Sequence, residues 1–418
     1  MSKVSRREFI RMSALGAAGA AAAACQPQTV VVKETVVVTE KEEVVKEVTV
    51  EVEKVVKETV VVQPTPEPTP TPIPVSMFEE APAWTEMVSA GSLPPVDERV
   101  GPEPLVVQVN ESIGQYGGTW HMGTMSGGDR ALTARTAGYE VPMRWDKTYT
   151  QVVPNLFTTW EASADGKEFT LFLRKGIKWS DGTLLTADDY MFTFYDRVKN
   201  KDLVPTFPSA YMVGDTEPEM EKLDDYTLKF IFAAPSGGFT IELASVGCVL
   251  HPLPAEYNKQ FHPAYANKAD LDAKIAEAGY DNWWELFGLM NEGYTCCPGV
   301  PGRPHQMAWG IEDTPWQDAP QSIWERNPYY WKVDPEGRQL PYIDRCFYKV
   351  HESRDTVLMD AIAGEIDMQK RHLDILENIP VLKEHMDDGQ YHFFRLERAK
   401  MNTVILHINQ NLEEDPYW

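Results

Sequence analysis

The hydrophobic positions of the chain switch between the period of a strand and the period of a helix. Phe169, Leu171 and Leu173 alternate with more polar neighbours, although Phe172 breaks the alternation, and this predicts a half-buried strand over residues 168–174. The glycine-rich residues 123–129 predict a loop. Further apolar stretches predict strands over residues 105–109, 117–122, 226–232, 391–395 and 403–409.

Two helices are predicted from apolar residues at helical spacing and from the polar residues in front of them. Before the first, Thr186 can cap the helix while Asp189 reaches back to complete a capping box. Before the second, Ser353 is the cap, and Gly364 ends the helix ahead of an extended segment over residues 365–368. Strands and helices are mixed without a strict repeat, so the predicted fold class is α/β of the mixed α+β kind.

The first 25 residues predict an export signal rather than a structural element. A basic start is followed by an apolar run over residues 12–25, which at 14 residues is shorter than the roughly 20 that cross a bilayer. Arg6 and Arg7 resemble a twin-arginine signal over residues 1–24. Cys25 ends the run, which predicts lipid attachment at this cysteine. An ordinary cleaved signal that releases a free protein is the alternative.

Residues 25–100 are predicted to be a tether with no core of their own. Residues 26–62 contain 16 valines among 37 positions, and the octamer at 31–38 recurs at 55–62. This stretch predicts a stalk, a self-associating segment or a disordered spacer. Alternating prolines over residues 63–74 favour an extended arm. Together these segments predict an anchor and an arm that hold a folded part away from a membrane.

Composition and charge narrow the classes of function. Of the 418 residues, 318 follow the first hundred, which suggests two domains or one large domain. With 43% hydrophobic and 11% aromatic residues, global disorder is excluded. The net charge of −24 argues against nucleic-acid binding, because phosphate contacts need lysine and arginine. The acidic surface indicates solubility, and binding of a cationic ligand is the more specific alternative interpretation.

The search for catalytic motifs predicts neither an enzyme nor a metal or cofactor site. The chain has no nucleophile elbow, no phosphate-binding loop, no dinucleotide-binding glycine pattern and no paired-histidine zinc motif. The nine histidines are scattered, and His251 and His262 lack ligands at suitable spacing. The acidic pairs at residues 188–189 and 224–225 are explained by helix capping and a turn.

Two further residue groups leave alternatives open. Four cysteines follow Cys25, and in an exported protein they allow three disulfide connectivities, although adjacent Cys296 and Cys297 are poorly placed to bond each other. The other two are Cys248 and Cys346. The Trp283-Trp284 pair predicts either the buried face of a helix or a stacking platform for sugar rings or apolar side chains.

Several segments together resemble family 5 of the solute-binding proteins, the oligopeptide and dipeptide receptors of ABC importers. The first is a nearly continuous run of about 35 residues, and the other segments lie closer to the C-terminus; the resemblance covers about 100 to 410. In order, these segments are residues 153–161, 165–166, 173–189, 326–332, 337–344 and 363–368.

The resemblance implies a type II periplasmic-binding-protein fold built from lobes. It implies a first lobe from residues 101–136 and 251–400, a smaller inserted lobe over 137–250, and the start of a third lobe at 401–418. In such receptors the ligand lies between the first and third lobes, which close by a hinge motion. Since family members continue well beyond this point, the chain is expected to be truncated, and isolated residues 1–418 are expected to bind ligand weakly or not at all.

The resemblance also implies a function and a set of site residues. The implied function is a monomeric, membrane-tethered receptor on the outer face of the cytoplasmic membrane or in the periplasm, which delivers oligopeptides to an ABC permease. An oligosaccharide receptor is the first alternative; a surface adhesion protein and an exported hydrolase are others. The implied ligand-binding residues are Thr124, Met125, Ser126, Gly127 and Gly128, here called the binding loop, together with Asp367 and Met368 near the hinge.

Overall fold

The computed structural model describes residues 76–126, 129–133, 136–245, 248–293, 299–311, 320–369 and 371–393. The elements below all belong to one compact unit, Pro72–Trp418. Several predictions concern residues outside the described ranges: the export signal, Cys25, the valine-rich stalk, Gly127, Gly128, Cys296, Cys297, the strand at 403–409 and the third-lobe start at 401–418.

A four-stranded mixed sheet forms the first structural layer. Its strands are β2 (Thr119–Thr124), β9 (Trp309–Ile311), β10 (Gln321–Arg326) and β12 (Arg345–Val350), in the order β2-β12-β10-β9. Strand β2 is parallel to β12, while β10 is antiparallel to both of its neighbours. Alternate side chains along a strand point to the same side of a sheet. On one side of this sheet they are buried. That face contributes Met122, Trp324, Cys346 and Tyr348 to a core with Leu132 and Ala137.

A second sheet, fully antiparallel, carries the predicted strand of residues 168–174. Its strands are β5 (Phe157–Ala162), β6 (Glu168–Leu173), β7 (Glu219–Asp224) and β8 (Thr227–Ile231), in the order β5-β6-β8-β7. Phe169, Leu171 and Leu173 are buried and Phe172 is half-buried, as the alternation predicts. Phe169, Leu171 and Leu173 belong to the largest core cluster of the described residues. This cluster also contains Trp179 and Trp331.

The first predicted helix is confirmed at its start and differs in its later turns. The Thr186 and Asp189 capping box is present, and α4 runs over Ala187–Met191. Residues Phe192–Val198 then continue as a π-helix. The wider turn allows Phe194 and Val198 to pack on the second sheet, while Phe192 packs into a neighbouring helical cluster.

That helical cluster comprises α6 (Ala255–Lys259), α7 (Lys268–Glu277) and α8 (Trp283–Met290). Leu253, Phe261, Leu286 and Phe287 form its interior. The tryptophan pair at the start of α8 is divided between core and surface. Trp283 packs against His262 with ring centroids 4.8 Å apart, whereas Trp284 is 38% exposed.

The remaining elements connect these layers. The second predicted helix, α9, runs over Arg354–Ile362 behind a Ser353 capping box. Gly364 follows it with a φ of 75°, in the left-handed region that favours glycine. The others are α1 (Thr85–Ser89), α2 (Val96–Val100), α3 (Arg130–Thr133), α5 (Phe239–Leu243), α10 (Ile379–Glu384), the 3-10 turns Pro82–Trp84, Ser209–Tyr211 and Leu376–Asn378, and the paired short strands β1 (Leu105–Val106) with β11 (Lys332–Val333) and β3 (Met143–Trp145) with β4 (Val152–Pro154).

Four predictions of local structure are corrected. The tether does not extend to residue 100, because Val96, Arg99 and Val100 are buried and Arg99 pairs with Glu80. The strand predicted at 105–109 stops at Val106, which pairs with Val333, the last residue of the two-residue strand β11. Residues 123 and 124 belong to β2 rather than to the loop. Residues 391–393, the described part of the predicted strand 391–395, are not in a strand.

The predicted disulfides are not formed by the two cysteines that the structure describes. Cys248 and Cys346 are both free and buried in separate cores. The Tyr211 hydroxyl lies 3.2 Å from the Cys248 sulfur. Burial raises the pKa of the Cys248 thiol to about 11, so this thiol is protonated at neutral pH and unreactive.

Candidate functional site

The candidate site lies where the parallel strands β2 and β12 end. Because they are parallel, their carboxyl ends, Thr124 and Val350, are paired at the same edge of the first sheet. Ligands of open α/β sheets bind outside the carboxyl ends of the strands. The binding loop begins at this edge.

The described residues of the binding loop differ in what they offer to a ligand. The Thr124 side chain is buried, with its hydroxyl 3.4 Å from the Lys349 carbonyl, and the Thr124 carbonyl accepts a hydrogen bond from the His351 amide at 2.7 Å. Met125 is half-buried against the core beneath α9. Ser126 is exposed. The hydroxyl of Ser126 and the outer part of Met125 are therefore the side-chain groups open to a ligand here.

The structure brings the second predicted segment against the same strand. The Asp367 carboxylate accepts hydrogen bonds from the His121 amide at 2.6 Å and from its ring Nδ1 at 2.8 Å. The Asp367 amide donates to the His121 carbonyl at 3.1 Å. Met368 is half-buried beside it. Asp367 thus bonds to β2 through its amide and through one carboxylate oxygen, Oδ2.

A residue that sequence reasoning did not single out continues this attachment. The Gln369 side chain donates to the Gly123 carbonyl at 2.8 Å and accepts from the Gly123 amide at 3.0 Å. A side chain at Gly123 would be tightly packed, because a Cβ there would lie 3.0 Å from the Val357 side chain and 3.1 Å from the His351 ring. Close packing of α9 against β2 therefore favours glycine at this position.

A buried ionic cluster lies just beyond the binding loop. Asp129 forms an ion pair with Arg371, whose Nε is 2.8 Å from Oδ1, and a hydrogen bond with His372, whose Nε2 contacts Oδ2. The side chains of Asp129 and His372 are 4% and 6% exposed. The Asp129 amide also donates to the Ser126 carbonyl at 3.2 Å. Through Asp129, the cluster is therefore bonded to the binding loop on its C-terminal side.

None of the residues in this cluster was predicted from the sequence. Asp129 ends the glycine-rich stretch and precedes α3, which is a position typical of a capping residue. Its partners lie more than 240 residues further along the chain, so no local spacing links them. The nearest segment that the sequence analysis singled out is 363–368, one of those that resemble family 5. It ends three residues before Arg371.

Three open clefts among the described residues lie away from this edge. Clefts of about 580 and 220 Å³ lie beside Tyr226 and beside His305. A third, of about 380 Å³, is lined by Thr119 and Arg345, where β2 and β12 begin. Within the described ranges, no three histidine, cysteine or carboxylate side chains are grouped to hold a metal ion. No helix among these residues has the length and apolar character needed to cross a membrane.

Comparison with known proteins identifies the family. Residues 151–283 match the model described as the middle region of the bacterial extracellular solute-binding proteins, family 5. Through this segment the chain belongs to family 5 of the bacterial extracellular solute-binding proteins. The segment spans the second sheet and reaches the start of α8, so the family 5 match covers residues 151–250 of the predicted inserted lobe and extends beyond it to residue 283.

Family 5 relatives match well beyond this segment. The periplasmic alpha-galactoside-binding protein of Rhizobium meliloti is 30% identical over 314 residues, which cover 69% of this chain and 41% of that protein. The solved oligopeptide-binding protein OppA superposes with a TM-score of 0.69 at 37% identity, covering 75% of this chain and 48% of that one. The binding protein MelB of Agrobacterium fabrum, solved with stachyose, gives 0.58 at 28%, with 75% and 46% covered.

These comparisons confirm the fold class predicted from the sequence. The described residues carry the mixed α/β architecture of type II periplasmic binding proteins. The chain spans less than half the length of these relatives. The relatives are named as binding proteins rather than enzymes.

Proposed function

We propose that the protein is the solute-binding component of an ABC importer and captures oligopeptides outside the cytoplasmic membrane. The observation that carries the proposal is the likeness to the oligopeptide-binding protein OppA over 75% of this chain at 37% identity. Capture needs no bond to be made or broken, which agrees with a sequence that lacks catalytic motifs. The proposed role is therefore binding without turnover.

The proposed ligand contacts come from the edge where β2 and β12 end. Ser126 can donate and accept hydrogen bonds, and Met125 can contact an apolar side chain of the ligand. Thr124 would contribute backbone groups, as would Gly127 and Gly128. Asp367 and Met368 would lie on the hinge side, where they hold β2 rather than contact the ligand directly.

The proposed mechanism is a ligand-driven shift between open and closed forms. The domain organisation implied by the family resemblance would place the binding loop on the first lobe, facing a lobe that follows the described residues. A ligand that contacts both lobes binds the closed form more tightly and so increases its population. The partner that reads the closed form would be a membrane permease.

A second candidate function is capture of oligosaccharides. It is favoured by two relatives, one named for alpha-galactosides and one solved with stachyose. The structure adds Trp284, whose ring is 38% exposed at the start of α8. An exposed indole ring can stack on a sugar face. The α-galactosides are therefore the carbohydrate class to test against peptides.

Calorimetric titration of the purified full-length protein separates the two candidates. Tetra-alanine is expected to bind with a dissociation constant of about 10 μM or below, which corresponds to roughly −7 kcal/mol. Stachyose at the same concentration is expected to release no binding heat. Saturable binding of stachyose alone would replace the peptide proposal by the carbohydrate one. Binding of neither probe would refute both.

We also propose that Cys25 anchors the protein through a lipid. The proposal rests on its place at the end of the apolar run, and it would keep the receptor near its permease. In the bacterial host, Cys25→Ser is expected to move the protein from the membrane fraction to the soluble exported fraction. Mass spectrometry of the wild-type N-terminal peptide should show a diacylglyceryl mass on Cys25. An unmodified Cys25 in membrane-associated protein would contradict the proposal.

A further inference from the structure

Asp129 is a buried carboxylate that follows the binding loop, and both of its side-chain partners, Arg371 and His372, are distant in the sequence. Taking a carboxylate out of water is unfavourable unless it is paired. Here the pairing comes from consecutive residues, Arg371 and His372, on opposite sides of the same carboxylate group. The Arg371 contact is ionic, because its Nε–H is not aligned for a hydrogen bond. We call these three residues the clasp.

The backbone at His372 has an uncommon conformation. Its φ of 72° lies in the left-handed region, which few residues other than glycine adopt, although histidine, asparagine and aspartate do so more often than most. Strain of this kind persists only where surrounding contacts determine it, and it is concentrated at functional sites. The burial of His372 and its bond to Asp129 supply those contacts. The clasp therefore keeps a conformation that the local chain would not choose.

The clasp is the last of three attachments that join one segment to β2 and to Asp129, which follows the binding loop. The first joins Asp367 to His121, and the second joins Gln369 to Gly123. Gln369 also donates to the Arg371 carbonyl at 2.7 Å, which links the second attachment to the third. The residues just before the binding loop and the residue just after it are thus tied to the same short segment.

We propose that Asp129, Arg371 and His372 are positioning residues for ligand binding, which hold the described binding-loop residues 124–126 in the conformation that receives the ligand. The proposal rests on the proposed function, because it takes this loop as a ligand contact. The link from clasp to loop is direct, since the Asp129 amide donates to the Ser126 carbonyl. A loop ordered before binding loses less conformational entropy when the ligand arrives.

The test compares Asp129→Asn with Asp344→Asn in the full-length protein. In the first variant the new side chain retains one acceptor oxygen, but it loses the charge and presents an amide donor where a carboxylate oxygen accepted. The control removes the charge of a carboxylate with 39% of its side chain exposed, which pairs with the buried Arg326 at the opposite end of the same sheet. Each variant is measured for its dissociation constant with tetra-alanine and stachyose, its melting temperature, and ligand-free hydrogen exchange over residues 119–126.

Asp129→Asn is expected to weaken binding of the recognised probe at least tenfold and to speed exchange over residues 119–126. Asp344→Asn is expected to lower the melting temperature similarly while changing the dissociation constant less than twofold. His372→Asn, which tolerates the left-handed conformation and keeps an N–H donor, is expected to retain binding within threefold. His372→Val, which does neither, should behave like Asp129→Asn.

Three results would overturn the positioning role. If Asp129→Asn melts earlier but binds as wild type does, the clasp has only a structural role. If Asp344→Asn weakens binding equally, the loss is not specific to the clasp. If wild-type protein binds neither probe, the proposed function fails and the positioning role falls with it. Normal wild-type binding with an unaffected Asp129→Asn would refute the clasp alone, so the two failures are distinguishable.

Discussion

Lys332→Met is expected to lower the free energy of unfolding by about 3–5 kcal/mol, because it removes the closest cation from the buried Glu140 carboxylate. The Lys332 ammonium lies 2.8 Å from both oxygens of Glu140, and the two side chains are 4% and 5% exposed. Tyr330 and Asn155 add hydrogen bonds to the same carboxylate at 2.6 and 3.2 Å. Urea denaturation followed by tryptophan fluorescence measures the change.

The double variant with Glu140→Gln is the control for this prediction. Removing both charges removes the uncompensated ion, so the double variant is expected to be more stable than Lys332→Met alone. The surface pair Lys268 with Asp272 provides a matched exposed comparison, for which Lys268→Met should change stability by less than about 1 kcal/mol. A double variant less stable than Lys332→Met would show that packing, rather than charge, dominates at this site.

The Lys332–Glu140 pair also predicts that the loss of stability caused by Lys332→Met depends on pH. Burial alone would raise the pKa of Glu140, but Lys332 and Arg144 outweigh it and hold this pKa below its ordinary value. In the wild type, the contribution of Glu140 is therefore present above its unfolded pKa and lost as pH falls through the folded one. Without Lys332, burial dominates and Glu140 neutralises readily in acid. The destabilisation by Lys332→Met should shrink from pH 7 to pH 4.

Local signals explain which parts of the fold could be predicted from the sequence. The capping boxes at Thr186 and Ser353 each lie within four residues, and both are present in the structure. The alternation of Phe169, Leu171 and Leu173 is equally local and predicts β6 correctly. The π-helix at Phe192–Val198 was missed, because its wider turn is set by two separate cores rather than by residue spacing.

The candidate site could be predicted only in outline. The binding loop and Asp367 were both expected near the ligand, and the structure brings their segments together along β2. The contacts that join them cross more than 240 residues of chain, as in the Gln369 bond to Gly123 and the Asp129 bond to His372. Such pairs leave no periodicity in the sequence, and they become visible only once β2 and β12 are aligned.

A second buried carboxylate gives the other large expected effect. Asp189→Ala is expected to lower the free energy of unfolding by about 3–5 kcal/mol, because several buried donors lose their acceptor. The Asp189 carboxylate accepts from the Ala255 amide at 2.8 Å, the Thr186 amide at 2.9 Å and the Trp179 indole at 3.3 Å. It therefore joins the start of α4 to the start of α6. Urea denaturation at pH 5 measures the loss.

Asp188→Ala is the matched control for this change. The Asp188 side chain is 65% exposed, and its carboxylate pairs with Lys222 at 2.8 Å. Removing this carboxylate should therefore change stability by less than about 1 kcal/mol. Both substitutions alter the same helical turn, which leaves burial and hydrogen bonding as the difference between them. Equal losses for the two variants would mean that helix propensity in α4, and not the buried network, explains the effect.

The effect of Asp189→Ala should also depend on pH. Burial raises the pKa of Asp189 to about 6, despite the donors that oppose this shift. The folded state therefore binds the proton more tightly than the unfolded state, so the contribution of Asp189 is greatest in acid and is lost as pH rises through about 6. The loss caused by Asp189→Ala should be larger at pH 5 than at pH 7.5, by roughly 1 kcal/mol. An equal or smaller loss at pH 5 would show that the three donors, rather than burial, control this carboxylate.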